Sequence, residues 1–292
     1  MSVETAIATL PQPFNQESFT LLQQGIYDSA DTSVYVNQAS DFAFLFPLPE
    51  VNYVSYIPRV KALGLSQYKK TTSVITRRYE KIQGYFSPEQ KILEIGAGDG
   101  AFLRHVGEIQ PTCHLASLEV DQNTKSFREK VGGLHSYASW DEIREGREIF
   151  DMICMFHVLE HILDPKEFLT NCRACLSPRG TIIIEVPSLE DPLLSLYRSK
   201  AYQQFYFQRQ HPYVYSSKSL ARLLEQERFR PDIVMPHQRY GLENHLNWLV
   251  SGKPGGNQQF REIFHASADH YLKALEKAGA ADAVIAVART NL

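Results

Sequence analysis

The sequence predicts an α/β protein built on a doubly wound, mostly parallel sheet, and three observations predict it. Between Lys91 and about Pro187, five short runs rich in β-forming residues alternate with helical stretches. Those runs are almost continuously apolar, as strands covered by helices on both faces must be. The first of them ends in a turn of alternating glycines, "GAGDG" at 96–100, placed where open parallel sheets bind ligands.

The five strands are "KILEIG", "CHLASLEV", "GLHSYA", "FDMICMF" and "GTIIIEVP". Between them, "AFLRHVGEI" sets Phe102, Leu103, Val106 and Ile109 on one helical face. "PKEFLTNCRACL" does the same with Phe168, Leu169, Cys172, Cys175 and Leu176, and the turn "SPRG" closes that helix. After the fifth strand the order is helix (216–228), strand near "PDIVMP", insertion, then the strand "ADAVIAVAR". This predicts a seven-stranded sheet with a reversed edge strand, the last.

Three regions lie outside this rhythm. Residues 1–84 are rich in aromatics, carry the proline breaks "PLPEVNY" and "YIPRV", and contain a helix across 66–82; they are expected to form a helical N-terminal lid. The main domain is then 85–292, with substrate-side insertions at 188–215, crowded with Tyr and Phe, and at 238–280.

Composition narrows the class. The chain has 292 residues, 43% hydrophobic and 22% charged, and can bury a sizeable core. A net charge of −3 gives no general attraction to nucleic acid or anionic membrane. The start "MSVETAIATL" has no basic or long apolar stretch, and no run of about 18 apolar residues occurs. Four cysteines make no disulfide framework. A soluble cytoplasmic protein is expected, its oligomeric state undefined.

The glycine turn admits two readings. As Gly96-x-Gly98-x-x-Ala101 it satisfies a dinucleotide fingerprint, and an NAD-dependent oxidoreductase is the alternative. Yet Glu94 ends the first strand, Asp99 lies within the turn, Glu119 ends the second strand and Asp121 follows. Carboxylates repel a pyrophosphate and suit a cationic adenosyl sulfonium with an amino group and ribose hydroxyls. Glu119 would accept from the ribose, and Glu94 would favour the amino end.

The fourth strand leads into "MFHVLEHILDP", where His157, Glu160 and His161 spell H-x-x-E-H. On a continuous helix that motif binds zinc. Here it starts straight off a strand and stops at Asp164-Pro165, so no metal is expected; His157 faces the cleft, and Glu160 and His161 orient the loop. Cys172-x-x-Cys175 sits inside a helix on its apolar side and is expected to pack the core. The cluster Lys69, Lys70, Arg77, Arg78 and Lys81 is expected to be a solvated helix face.

"KILEIGAGDGAFL", "LEVD", "FDMICMFHVLEHILDPKEFL" and "GTIIIEVP", in order across about 90–187, resemble a class I S-adenosylmethionine-dependent methyltransferase. The resemblance implies a Rossmann-like fold and S-adenosyl-L-methionine as cofactor. It places Glu94, Gly96, Ala97, Gly98, Gly100, Glu119, Val120, Phe156 and His157 around that cofactor. "FYFQRQHPYVYSSKSLARLLE" is similar to small-molecule methyltransferases acting on sugars, some with a general-base histidine at the position of His211. "QRYGLENHLNWLVSGKPGG" resembles methyltransferases of bacterial surface polysaccharides. Sugar C-methyltransferases usually have an N-terminal cysteine-rich zinc domain and an acid where this chain has Gln210, so O-methylation is expected before C- or N-methylation.

The catalytic candidates are His211, His245 and His157. Tyr206, Phe207, Tyr213 and Tyr215 should surround His211 with apolar surface and keep its imidazole neutral.

Overall fold

The structure, a computed structural model, describes residues 2–39, 41–49 and 67–291, with backbone only for 67–72. The break "YIPRV" and the side chains of Lys69 and Lys70 lie outside the described residues. The strands are β1 (Phe19–Ile26), β2 (Ser29–Asn37), β3 (Phe42–Phe46), β4 (Lys91–Ile95), β5 (His114–Leu118), β6 (His135–Tyr137), β7 (Phe150–Phe156), β8 (Leu176–Pro187), β9 (Tyr213–Tyr215), β10 (Phe229–His237) and β11 (Ala283–Thr290). Seven of them form one sheet in the order β10-β11-β8-β7-β4-β5-β6.

From β8 through β6 neighbours are parallel, and successive residues serve opposite faces. Ile92, Cys154 and Ile183 pack with Ile75, Tyr79 and Ile82 of the helix Gln67–Ile82 and with Phe102, Leu103 and Val106 of the helix Ala101–Ile109. Leu93, Ile153 and Ile184 face the helices Pro165–Ala174 and Ser217–Gln226 through Leu169, Cys172, Leu220 and Leu223. Two apolar faces on one strand explain the unbroken apolar runs. Cys172 and Cys175 are core residues, as expected.

The last strand is reversed but does not lie at the edge. β11 pairs antiparallel with both β10 and β8. Ala283 to Ala288 are all buried, as an interior strand requires. β10 takes the edge instead, and it carries Pro231 and Pro236, whose missing N–H groups an edge tolerates.

The N-terminal region corrects the helical reading in its first half. The helix Gln67–Ile82 is present, but β1, β2 and β3 form an antiparallel meander. β9, from the 188–215 insertion, completes it: Phe42 pairs with Tyr215 and Phe44 with Tyr213. The aromatics that suggested a lid are β-formers sharing a core, with Phe14 stacked on Phe42 at 3.8 Å between centroids. No helix among the described residues is long and apolar enough to cross a membrane.

Candidate active site

The glycine turn joins β4 to the helix Ala101–Ile109 with three residues of positive φ: Gly96 at 71°, Gly98 at 54° and Gly100 at 76°. A Cβ on Gly96 would come within 2.5 Å of Val158 Cγ2, so this glycine lets the turn close against the loop after β7. A Cβ on Gly98 would meet nothing within 4 Å; the space beside its backbone is open cleft. Glu119 braces the turn, Oε2 accepting from Gly98 N–H and Oε1 from Asp121 N–H, both at 2.8 Å. From behind, the buried Arg128 donates Nη1–H to Gly98 O at 2.7 Å and to Thr124 Oγ1 at 2.6 Å.

Glu94 is buried at the end of β4, and its Oε2 has no hydrogen-bond partner among the described residues. Burial pushes its carboxyl up to about 8, with the Arg78 charge opposing and the Asp99 and Glu119 charges assisting. A buried acid with an unmatched oxygen is a receptor for a cationic or donor group. Ala97 is buried in the turn, and Val120, 65% exposed, stands at the rim beside Glu119. Phe156 lies under the Arg78 guanidinium, 4.2 Å from ring centroid to Cζ, and packs edge-on against Phe102.

His157 follows Phe156 with φ at 59°, a left-handed conformation that costs a non-glycine residue free energy. Its Nδ1 lies 3.1 Å from Glu160 Oε1 and its Nε2 2.9 Å from Glu185 Oε1, while Arg239 Nη1 also contacts Nε2. Nε2 cannot donate to Glu185 and accept from Arg239 at once. The two contacts suit the two protonation states of that nitrogen. Glu185 is fully buried and also takes a two-pronged pair from Arg78, at 2.6 and 2.8 Å. Burial alone would raise its carboxyl, but the Arg78 charge and the hydrogen bonds from Arg78 and His157 hold it well below the usual range.

The H-x-x-E-H segment is not a helix: Leu159–His161 is a single 3-10 turn. His161 Nδ1 donates to Gln210 O at 2.6 Å, and its ring meets His211 at 4.7 Å between centroids. Phe207, Tyr213 and Tyr215, expected around His211, are buried. Burial, then the His161 charge, pushes the His211 imidazole down to about 3. His245 stands apart on the helix Leu242–Ser251, buried, with Nδ1 at 2.6 Å from Tyr271 OH and Nε2 at 3.3 Å from Gln238 Nε2. Burial pushes it down to about 4.

The basic cluster is not a solvated face throughout. Arg78 is buried against Glu185, Arg77 donates to Arg239 O at 2.8 Å, and Lys81 pairs with Glu276 at 2.9 Å.

Comparison with known proteins places this geometry. A family model described as a methyltransferase domain matches residues 68–231, more than half of the chain. The chain belongs to this methyltransferase family. The ubiquinone biosynthesis O-methyltransferase of Rhizobium leguminosarum bv. trifolii is 26% identical over 98 residues, 32% of this chain and 39% of that protein. The chain thus spans well under half the length of that relative. Among solved structures, a SAM-dependent methyltransferase from Archaeoglobus fulgidus superposes with a TM-score of 0.53 at 19% identity, over 82% of this chain and all of that one. The plantazolicin methyltransferase BpumL, in complex with SAH, gives 0.51 at 16% identity, over 82% of this chain and 92% of that one. These likenesses establish the fold.

The family model makes this a methyltransferase domain, and its fold is the one these S-adenosylmethionine-dependent methyltransferases share. Open space at Gly98 and an unmatched carboxyl oxygen at Glu94 fit S-adenosylmethionine, and Glu119 braces the turn beside them. Sequence reasoning missed three residues here: Glu185, Arg239 and Arg128. Glu185 alone carried a signal, as the single acid in the apolar strand "TIIIEVP".

Proposed function

We propose that the methyltransferase transfers a methyl group to a hydroxyl of a small, sugar-like acceptor, with His157 receiving the proton. The bound cofactor supplies a methyl already activated by its sulfonium. The protein must therefore align an acceptor oxygen, exclude water and take up a proton. In this reading Glu94 holds the cofactor's amino end, Glu119 its ribose, and Ala97, Gly98, Val120 and Phe156 its adenosyl surface.

One observation carries the choice of base. His157 sits at the carboxyl end of β7 in a strained backbone conformation, with a partner for Nε2 in either protonation state. Such strain persists where function requires it. Glu160 and Glu185 flank the ring and would compensate the charge of an imidazolium. A quarter of the side-chain surface remains open. His211, ranked first on sequence, is neutral as expected, but at about 3 it is far from the operating range of an effective base. His245 is pushed to about 4 and engaged with Tyr271.

Residues 1–84 and the insertions 188–215 and 238–280 form the acceptor side in this reading. In support, Gln210 and Arg239, from the two insertions, reach His161 and His157. The test is incubation of the enzyme with methyl-labelled cofactor and a panel of free and nucleotide-linked sugars. Mass spectrometry should find the label on an oxygen. Label on carbon or nitrogen only would overturn the hydroxyl reading.

A further inference from the structure

We propose that Glu160, His161 and His211 form a site for a divalent cation of the zinc class beside His157. The proposal rests on the methyl-transfer reading, which it deepens by giving the acceptor side a Lewis acid. One ligand atom from each of the three residues lies within 4.8 Å of the other two. Tetrahedral zinc at about 2.0–2.2 Å from each ligand needs those atoms on the order of 3.5 Å apart, a closure within reach of side-chain adjustment.

Each residue is prepared for the role by a separate observation. Glu160 is 1% exposed, and its Oε1 is engaged by His157 while its Oε2 has no hydrogen-bond partner among the described residues. A buried carboxyl oxygen without a partner is costly unless a cation or donor meets it. His161 donates Nδ1–H to the carbonyl of Gln210, the kind of outer bond that fixes tautomer and ring orientation in metal-ligating histidines. His211 adjoins it edge-on, with ring centroids 4.7 Å apart.

The H-x-x-E-H pattern therefore contributes through Glu160 and His161, with His157 turned to Glu160 and Glu185. The third ligand comes from the insertion after β8, so the ion would clamp the turn after β7 to the acceptor side. Three protein ligands leave a position open for water or an acceptor hydroxyl, whose proton a bound cation makes easier to remove.

The experiment uses the tag-free 292-residue chain, Zn²⁺ as probe and a competing chromophoric chelator. Wild type should bind one Zn²⁺ per chain, and S-adenosylhomocysteine binding is measured on the same samples. His211→Ala and Glu160→Gln should weaken Zn²⁺ binding by about 100-fold or more, first ligands mattering at least as much as their outer partners. His211→Ala should still bind S-adenosylhomocysteine, showing that it folds. Wild type that binds S-adenosylhomocysteine but no Zn²⁺, or variants that bind Zn²⁺ as wild type does, would overturn the site. A wild type that binds Zn²⁺ at these residues but no S-adenosylhomocysteine would overturn the methyl-transfer reading instead.

Discussion

A Glu185→Ala protein should be less stable than wild type by about 3–5 kcal/mol, read as a lower urea midpoint at unchanged slope. The magnitude follows from burial. Glu185 is 0% exposed and receives both Nε and Nη2 of Arg78, whose side chain is only 10% exposed. Removing the carboxylate leaves the guanidinium without its partner in a dry environment, and releases His157 on the same side. Because the Glu185 carboxyl is held below its ordinary value, its contribution is present above the unfolded carboxylate range and lost as the pH falls toward its folded value. The double change Arg78→Met with Glu185→Leu should recover part of the loss, since apolar replacements leave no buried charge. A Glu185→Ala midpoint equal to wild type would mean that this pair does not anchor the helix Gln67–Ile82 to the sheet.

Replacing His157 by asparagine should lower turnover by about 10²–10⁴-fold, the range for loss of a general base. Asparagine is the informative choice because it tolerates the left-handed backbone that His157 adopts at φ 59°. It keeps a hydrogen-bonding side chain while removing the imidazole. S-adenosylhomocysteine affinity and melting temperature should change little, which separates a lost base from a disturbed loop. Near-normal turnover in this variant would remove His157 from the chemistry.

The core of the fold was legible because apolar continuity reports burial on both faces of β4, β7 and β8. The position of β11 was less so: order along the chain does not give order across a sheet. The signals were local, in the two prolines of β10 and the unbroken apolar run of β11. The β1–β3 meander was missed because aromatic density reports burial but not what is buried against what. Arg78 was misread although its spacing was informative. It follows Ile75 by three and precedes Ile82 by four, on the stripe that faces the sheet. Arg239 had no comparable signal; it meets His157 across 82 residues, a contact only the tertiary fold creates.

The central claim, that the glycine turn with Glu94 and Glu119 holds S-adenosylmethionine, is tested most directly by calorimetry with S-adenosylhomocysteine near pH 7, in two buffers of different ionisation enthalpy. With Glu94 at about 8, the ligand-free carboxyl is mostly protonated, whereas an ammonium group beside it favours the carboxylate. The account predicts binding with net release of a proton, a release that Glu94→Gln abolishes, and no comparable binding of NAD. Tight binding of NAD with none of S-adenosylhomocysteine would contradict it.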